Sequence, residues 1–169
     1  MKSGLKDVRL LLLDVDGVLT DGSIIYDDKN VETKIFNVKD GLGIRLLLNA
    51  GIQVGIITGR ASGALTNRCR NLGIENLYDG IKEKTSALNS ILKKTGMKAE
   101  ETAFIGDDLP DLPVLKKVGV SIAVRDAEET VRKCADIVTN AKGGRGAVRE
   151  ICEAILKAKG LWDDIIDMY

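Results

Sequence analysis

Short runs of apolar residues alternate with amphipathic stretches along almost the whole chain. The run VRLLLLDV at 8–15 is continuously apolar, which is typical of a strand buried on both faces. Shorter apolar runs predict further strands, and patterns with helical spacing predict helices between them. The predicted strands are 8–15, 53–58, 76–80, 102–106, 120–124 and 136–139, and the predicted helices are 43–50, 62–73, 84–96, 127–134 and 147–160, with one more beginning at Pro110.

The segment 22–38 interrupts this alternation. Its sequence, GSIIYDDKNVETKIFNV, predicts a β-hairpin with DDKN as the turn. Directly after it, Asp40 is placed to cap the helix over 43–50, and Gly51 is placed to end that helix. The hairpin is therefore expected to protrude from the body of the fold.

The alternation of strands and helices predicts an α/β fold with a Rossmann-like, doubly wound and mainly parallel sheet. A length of 169 residues fits one domain, 1–169, that ends in a helix and tail at 143–169. Sheets of this kind bind ligands beyond the carboxyl ends of their strands. Catalytic and ligand-binding residues are therefore expected at those ends.

Composition and charge narrow the class of protein. Apolar residues make up 44% of the chain and charged residues 30%, which is ordinary for a globular domain, and the formal net charge is zero. That balance does not favour nucleic acid or a membrane surface as a partner. The three cysteines (69, 134 and 152) lack metal-site spacing and predict reduced thiols. Together with the lack of a signal peptide or transmembrane-length run, this predicts a cytoplasmic protein.

The chain contains no histidine. This excludes Ser-His-Asp triads, Cys-His nucleophiles, phosphohistidine carriers and His-ligated zinc. An enzyme of this composition would work with carboxylates, Lys, Arg, hydroxyl groups and a hard metal ion.

Three carboxylates follow the first strand within eight residues, in the segment LLLDVDGVLTDG. Asp14 and Asp16 are two apart and point to one side in extended geometry. A solvated strand end is one reading of this segment. A calcium loop is excluded, because its fifth and twelfth positions would be Val18 and Ile25, which have no side-chain oxygen.

Other polar groups follow the later strands. Thr58, Gly59 and Arg60 end the second strand of the alternating pattern, and Lys84 begins the helix after the third. The segment FIGDDLPD ends the fourth with Asp107, Asp108 and Asp111. Taken singly, these residues are ordinary caps, turns and a solvated lysine. Together they predict carboxylates, a hydroxyl and an ammonium on one rim of the sheet.

Such a rim suits phosphate chemistry with Mg²⁺, which prefers hard oxygen ligands and keeps several waters. Asp14 and Asp107 can supply ligands from adjacent strands. Asp14 is also a competent nucleophile towards phosphorus, with Asp16 as the acid and base for the leaving alcohol and the attacking water. Thr58 and the Gly59 amide can hold phosphate oxygens, and Lys84 can neutralise charge at the nucleophile.

Four segments resemble the motifs of the haloacid-dehalogenase superfamily of aspartate-nucleophile phosphotransferases: DVDGVLTDG, ITGR, Lys84 and GDDLPD. The resemblance implies Asp14 as nucleophile, Asp16 as acid and base, and Mg²⁺ held by Asp14, Asp16 and Asp107, with Mn²⁺ or Co²⁺ as possible substitutes. The segments from Asp16 to Thr58 and from Thr58 to Lys84 are too short for a cap domain. The hairpin is expected to serve as a lid in an oligomer.

FNVKDGLGIR, NRCRNLGI and GGRGAVREIC are similar to one capless branch, whose members dephosphorylate 3-deoxy-D-manno-octulosonate 8-phosphate for bacterial lipopolysaccharide synthesis. The resemblance implies a homotetramer whose active site is completed by a neighbouring subunit. Arginines suit the planar carboxylate and the phosphate of such a substrate, although Arg45 and Arg68 could also face solvent. The substrate contacts that it implies are Asp16, Asn37, Val38, Lys39, Asp40, Gly41, Arg45, Gly59, Arg60, Arg68 and Lys84.

Three alternatives stay open at this point. A related branch acts on a 3-deoxy-nonulosonate 9-phosphate, but it tends to carry Glu at the position of Arg60. A phospho-accepting receiver domain has similar residues, but it places its acceptor Asp between the acidic pair and the Thr. A non-catalytic protein on the same fold would be expected to lack one of four residues that are all present, namely Asp14, Asp16, Lys84 and Asp107.

The tail GLWDDIIDMY at 160–169 has Trp162, Ile165, Ile166 and Tyr169 at helix-like spacing. It is expected either to pack on its own chain, to pack on a neighbouring subunit, or to fold over that subunit's active site.

Overall fold

The computed structural model describes residues 4–168, so Tyr169 of the tail lies outside the described residues. Six strands form one sheet in the order β5-β4-β1-β6-β7-β8, and all neighbouring pairs in it are parallel. The predicted α/β class with a mainly parallel sheet is therefore confirmed. The strands are β1 (Leu10–Leu13), β2 (Ile25–Tyr26), β3 (Glu32–Thr33), β4 (Gln53–Ile57), β5 (Asn76–Tyr78), β6 (Thr102–Gly106), β7 (Val120–Ala123) and β8 (Ile137–Val138).

Within residues 4–168, seven α-helices connect and cover the strands. The last long helix is clearly amphipathic. In this helix, over Ala147–Ala158, Val148, Ile151, Cys152 and Ile155 are buried on one face. The helices are α1 (Val38–Asn49), α2 (Gly63–Leu72), α3 (Lys84–Thr95), α4 (Leu112–Leu115), α5 (Glu129–Cys134), α6 (Ala147–Ala158) and α7 (Trp162–Ile166). α1 packs against α6, while α3 and α5 pack against α4, so the helices form two groups as a doubly wound sheet requires.

The central strand β1 explains why the candidate site lies where it does. All four leucines of Leu10–Leu13 are fully buried, because β1 lies between β4 and β6 with helices on its faces. Leu13 is level with Ile56 on one side and Ile105 on the other. The carboxyl ends of the three strands therefore meet at one edge, beside the point where the strand order reverses.

The hairpin is present and is separate from the main sheet. β2 and β3 pair antiparallel, and Asn30 has a φ of 59° in the turn between them. The Asp27 carboxylate accepts hydrogen bonds from the amides of Lys29 and Val31, which stabilises this turn. Among residues 4–168 there is no cap domain, since the two sheets and seven helices account for all the regular structure besides short 3-10 turns.

The prediction that Asp40 caps α1 is wrong. The helix begins at Val38, and the Asn37 side chain caps it by accepting a hydrogen bond from the Lys39 amide at 2.8 Å. Asp40 is buried in the first turn, and its carboxylate accepts hydrogen bonds from the amides of Gly146 and Arg149 at the start of α6. Asp40 thus caps a helix that follows it by more than 100 residues, which no local pattern reveals.

Other predictions of detail hold. Gly51 follows the end of α1 with a φ of 77°, and all three cysteines are free thiols. The helix expected from Pro110 is a 3-10 turn over Leu109–Asp111 followed by the single turn α4.

In the tail, Ile165 is buried and the centre of the Trp162 ring lies 5.7 Å from the Arg149 guanidinium, so the described part packs on its own chain. None of the helices in the described chain has the length and hydropathy needed to span a membrane.

Candidate active site

A cavity of about 260 Å³ opens at the edge where β1, β4 and β6 end. Its walls come from the loops after these strands and from the first residue of α3. They contain all four residues predicted to be catalytic, namely Asp14, Asp16, Thr58 and Lys84. The lining residues are Asp14, Asp16, Thr58, Gly59, Arg60, Lys84, Asp107, Asp108, Pro110 and Asp111.

Lys84 is buried at the floor of this cavity rather than solvated. Its ammonium group donates hydrogen bonds to Oδ1 of Asp14 and to Oδ1 of Asp111, each at 2.7 Å. Burial alone would lower the pKa of this lysine, but the carboxylates of Asp14 and Asp111 hold that pKa above its usual value. Lys84 therefore stays charged and fixes the orientation of Asp14.

Asp111 organises the loop after β6, a role that the motif analysis did not assign. It is 1% exposed, and its Oδ2 accepts hydrogen bonds from the amides of Asp107 at 2.9 Å and Asp108 at 3.3 Å. Asp111 packs so closely against the end of β6 that a Cβ atom at Gly106 would lie 2.6 Å from the Cβ of Asp111. The last Asp of GDDLPD was the available signal, since a carboxylate five residues after the end of a strand can reach back to the loop amides.

Gly17 permits the close approach of Asp107 to the loop after β1. It has a φ of 94°, and a Cβ atom there would collide with the Asp107 carboxylate. Glycines at 143–146 pack against this loop after β1. The Gly144 amide donates a hydrogen bond to the Val18 carbonyl at 2.9 Å, and a Cβ atom at Gly143 would collide with the Gly17 carbonyl. The GGRG segment therefore has a physical role next to the site.

One oxygen from each of Asp14, Asp107 and Asp111 lies within 4.8 Å of the others. Burial raises the pKa of Asp14 to about 6, although Lys84 opposes this. Burial and the charges of Asp14 and Asp111 raise the pKa of Asp107 to about 8. The three carboxylates are thus balanced by the single ammonium of Lys84, and the cluster has an excess of negative charge when all three are ionised.

The donor set fits a hard divalent cation such as Mg²⁺, because all its ligand atoms are carboxylate oxygens. Both oxygens of Asp111 already accept hydrogen bonds, so Asp14 and Asp107 are the members that can serve as ligands. The carboxylate of Asp16 lies outside this cluster. Its role as a third ligand stays a prediction.

The raised pKa values predict that Mg²⁺ stabilises the protein more at pH 8 than at pH 6. The folded state binds protons at Asp14 and Asp107 more tightly than the unfolded state does, with folded pKa values of about 6 and about 8 against 3.8. Without metal, the stability that these groups contribute at low pH is therefore lost as the pH rises from about 4 to about 8. Mg²⁺ competes with these protons, so its affinity should rise by up to about tenfold per pH unit.

The measurement is the Mg²⁺-induced rise in Tm at the two pH values, with Asp107→Asn as the control. We expect the control to show a small rise that changes little with pH. An equal rise at pH 6 and pH 8 in the unsubstituted protein would contradict the carboxylate site.

Asp16 is held by the hairpin of its own chain. Its Oδ1 accepts a hydrogen bond from the Lys34 ammonium, and its Oδ2 lies 3.7 Å from Nε of Arg60. Glu32 forms ion pairs with Lys34 at 2.8 Å and with Arg60 at 2.6 Å, and the Tyr26 hydroxyl lies 2.8 Å from the same guanidinium. Lys34, Glu32 and Tyr26 were not among the predicted site residues, because a hairpin pattern does not show which side chains turn back to the site.

Thr58 and Gly59 lie where β4 ends. The main chain of Thr58 is fixed by hydrogen bonds with Tyr78 and Ile81, and its hydroxyl accepts a weak one from the Arg60 amide at 3.4 Å. A Cβ atom at Gly59 would meet nothing closer than 3.8 Å, so the cavity is open beside it. A phosphate group has room at this position.

The remaining residues predicted to bind substrate lie elsewhere. Asn37, Val38 and Lys39 line a second cavity, of about 420 Å³, together with Arg145. Asp40 and Gly41 are buried, Arg45 is exposed on α1, and Arg68 donates to the Asn37 carbonyl at 3.2 Å. Within the single chain, the structure does not bring these residues to the cavity of Asp14.

Comparison with known proteins agrees with the geometry of the site. A family model of haloacid dehalogenase-like hydrolases matches residues 76–151. The chain is 48% identical over 159 residues to the 3-deoxy-D-manno-octulosonate 8-phosphate phosphatase of Salmonella typhi, which covers 94% of this chain and 85% of the relative.

Two solved structures are also similar. The 3-deoxy-D-manno-octulosonate 8-phosphate phosphatase of Moraxella catarrhalis, in complex with magnesium, phosphate and KDO, superposes with a TM-score of 0.95 at 44% identity, over 97% of this chain and 94% of that one. The cobalt-bound phosphatase of the same kind from Haemophilus influenzae has a TM-score of 0.91 at 44% identity, covering 94% and 92% of the two chains. The protein described here therefore belongs to the haloacid dehalogenase-like hydrolases, in the branch of the 3-deoxy-D-manno-octulosonate 8-phosphate phosphatases.

Proposed function

We propose that this protein is a Mg²⁺-dependent phosphatase that hydrolyses 3-deoxy-D-manno-octulosonate 8-phosphate to the free sugar acid and phosphate. The observation that carries the proposal is the buried Asp14, oriented by Lys84 and placed beside Asp107 and Asp16 in one cavity. We expect the chain to act as a single phosphatase domain, 1–169, in the cytoplasm, as a step of lipopolysaccharide biosynthesis.

In the first half of the reaction, a carboxylate oxygen of Asp14 attacks phosphorus, and the bond from phosphorus to the sugar oxygen breaks. Asp16 gives its proton to that oxygen, so the sugar leaves as an alcohol and an aspartyl-phosphate remains. In the second half, water attacks the phosphorus and gives a proton to Asp16. The bond to Asp14 then breaks, which releases phosphate and restores both carboxyl groups.

Charge in the cavity supports this sequence. Asp14 and Asp107 would hold Mg²⁺, with Asp16 as the predicted third ligand, and the bound ion would offset repulsion between the nucleophile and the phosphate. Thr58 and Gly59 line the cavity and would hold phosphate oxygens through the hydroxyl and the amide, and Lys84 would neutralise charge at the nucleophile. Arg60, held over the cavity by Glu32 and Tyr26, is a candidate for the sugar carboxylate or phosphate.

The test is phosphate release with Mg²⁺ from octulosonate 8-phosphate, nonulosonate 9-phosphate and an aryl phosphate. We expect kcat/KM to be at least about tenfold higher for the octulosonate, because binding of the distant sugar groups contributes to the transition state. A preference for the nonulosonate would keep the catalytic roles but refute the substrate and the reading of Arg60. Equal rates on all three would refute both sugar acids.

We also propose that the functional unit is a homotetramer whose neighbouring subunits complete each active site. Asn37, Val38, Lys39, Arg45 and Arg68 do not line the cavity of their own Asp14. If they bind substrate, they do so across a subunit boundary. The hairpin and its flank are suited to an interface, because they expose large apolar side chains: Ile24, Ile25, Val31, Ile35 and Val38.

A mixing experiment tests the shared site. Asp14→Asn removes the nucleophile, and Gly41→Ala displaces the Arg68 guanidinium, with which a Cβ atom at Gly41 would collide. We expect each variant alone to be inactive or weak, and mixed oligomers formed by joint refolding to recover up to about a quarter of full activity by random assembly. Mixed oligomers no more active than the average of the two variants would count against sites built from two subunits.

A further inference from the structure

Lys34 is an unusual residue of the hairpin because its side chain is buried where the residues beside it are exposed. Only 2% of the Lys34 side chain is accessible, whereas Thr33 and Ile35 are exposed residues. An ammonium group loses favourable hydration on burial unless charged partners replace the water. Here those partners are Asp16 and Glu32.

We propose that Lys34 is a positioning residue for Asp16, which fixes the orientation in which that carboxyl group on the cavity wall meets the leaving alcohol. The inference rests on the proposed phosphatase function, in which Asp16 supplies the proton. It assigns to the hairpin of the same chain a part in proton transfer, in addition to any part in an interface.

The hydrogen bonds of Asp16 support this assignment. Lys34 occupies Oδ1, while Oδ2 is buried and accepts no hydrogen bond from any group among residues 4–168. Nε of Arg60, 3.7 Å away, is likewise buried and without a hydrogen-bond partner in that part of the chain. A buried acceptor and a buried donor that lack hydrogen bonds are costly, so both atoms keep hydrogen-bonding capacity that a bound ligand or water would use. The hydrogen bond that fixes Asp16 is therefore the one from Lys34.

Glu32 completes the arrangement. It pairs with Lys34 through Oε1 and with Arg60 through Oε2, so two cations and two carboxylates alternate across the base of the hairpin. The Lys34 ammonium is thus held by Glu32 as well as by Asp16. Proton transfer is sensitive to the direction of the carboxylate, and a carboxylate bound at one oxygen cannot rotate freely.

The effect of a Lys34 substitution on kcat for substrates with different leaving groups shows whether Lys34 positions the acid Asp16 or has only a structural role. The sugar alcohol of the octulosonate needs a proton as it leaves, whereas 4-nitrophenolate leaves readily without one. For Lys34→Met we expect kcat for the octulosonate phosphate to fall about 10- to 100-fold, and kcat for 4-nitrophenyl phosphate to change less than about threefold. Lys29→Met, at the exposed tip of the same hairpin, is the matched control and should leave both rates unchanged. Equal losses on the two substrates would overturn the proposal.

A double-mutant comparison covers the case in which Lys34→Met is unstable. Lys34→Gln keeps a hydrogen-bond donor and should retain more alkyl-phosphate turnover than Lys34→Met, relative to the aryl rate. In an Asp16→Asn background, neither substitution should lower the remaining rates further, since Lys34 acts through Asp16. Additive losses would refute this coupling.

The comparison is independent of the natural sugar. If the unsubstituted enzyme shows no preference for the octulosonate, the proposed substrate fails, and the same ratio can be measured with glycerol 3-phosphate as the alkyl ester. If the substrate preference holds but the ratio does not change, only the role of Lys34 fails.

Discussion

Replacing Asp14 by Asn is expected to abolish turnover, lowering kcat by at least about a thousandfold. The amide is nearly the same size as the carboxylate but is not a nucleophile towards phosphorus, so no aspartyl-phosphate forms. The measurement is steady-state phosphate release, together with a search for the covalent intermediate by mass spectrometry after acid quenching. We expect the phosphorylated species in the unsubstituted enzyme only.

The control for this variant is Asp28→Asn, an equally small change at the exposed turn of the hairpin, which should keep full activity. Asp14→Asn should also keep a cooperative thermal transition, because it removes one of three mutually repelling carboxylates and leaves Lys84 paired with Asp111. A folded Asp14→Asn protein with near-normal turnover would refute the nucleophile and, with it, the proposed mechanism.

The location of the site followed from sequence because parallel strands have a polarity that the chain order fixes. Asp14 and Thr58 lie at the carboxyl ends of predicted strands and Asp107 directly follows one, and the carboxyl ends of adjacent parallel strands meet at one edge. The order of the motifs also separated a phosphatase from a receiver domain, since the acidic pair at 14 and 16 precedes Thr58. These inferences needed only short-range pattern and topology.

Contacts between distant segments could not be obtained in this way. From the sequence, Asp40 resembles the cap of its own helix. In the structure its carboxylate accepts hydrogen bonds from amides at the start of α6, because the tertiary packing brings that helix end against the first turn of α1. Lys34 and Glu32 lie on a short hairpin whose alternation predicts only two faces. Which face meets Asp16 depends on how the hairpin folds back, and no spacing in the sequence encodes that.

The hairpin can be compared with the cap domain that is absent among the described residues. A capped enzyme excludes water and binds the leaving group with an inserted domain. In this chain the side chains of Tyr26, Glu32 and Lys34 contact only the outer members of the cavity wall, Arg60 and Asp16, from a hairpin with two strands of two residues each. So small an element does not line the cavity itself, which is consistent with the proposal that a neighbouring subunit covers it.

Replacing Lys84 by Met is expected to affect stability and activity together. The change keeps the length of the side chain but removes the one ammonium that balances the carboxylates of Asp14, Asp107 and Asp111. Loss of one partner from a buried ion pair costs about 3–5 kcal/mol of unfolding free energy. Turnover should fall by about 10²- to 10⁴-fold, because the charge that develops at phosphorus loses a preorganised donor.

The pH dependence of that stability loss distinguishes charge from packing. The pKa values of Asp14 and Asp107 are already raised to about 6 and about 8 with Lys84 present, and they should rise further without it. The folded variant then takes up more protons than the unfolded chain, so its stability falls as the pH rises through this range and recovers towards pH 5. We expect denaturant unfolding without metal to show a deficit relative to the unsubstituted protein that is large at pH 8 and small at pH 5. Lys93→Met, at an exposed position of the same helix, is the control. A deficit of the same size at both pH values would show that Lys84 contributes packing and not charge.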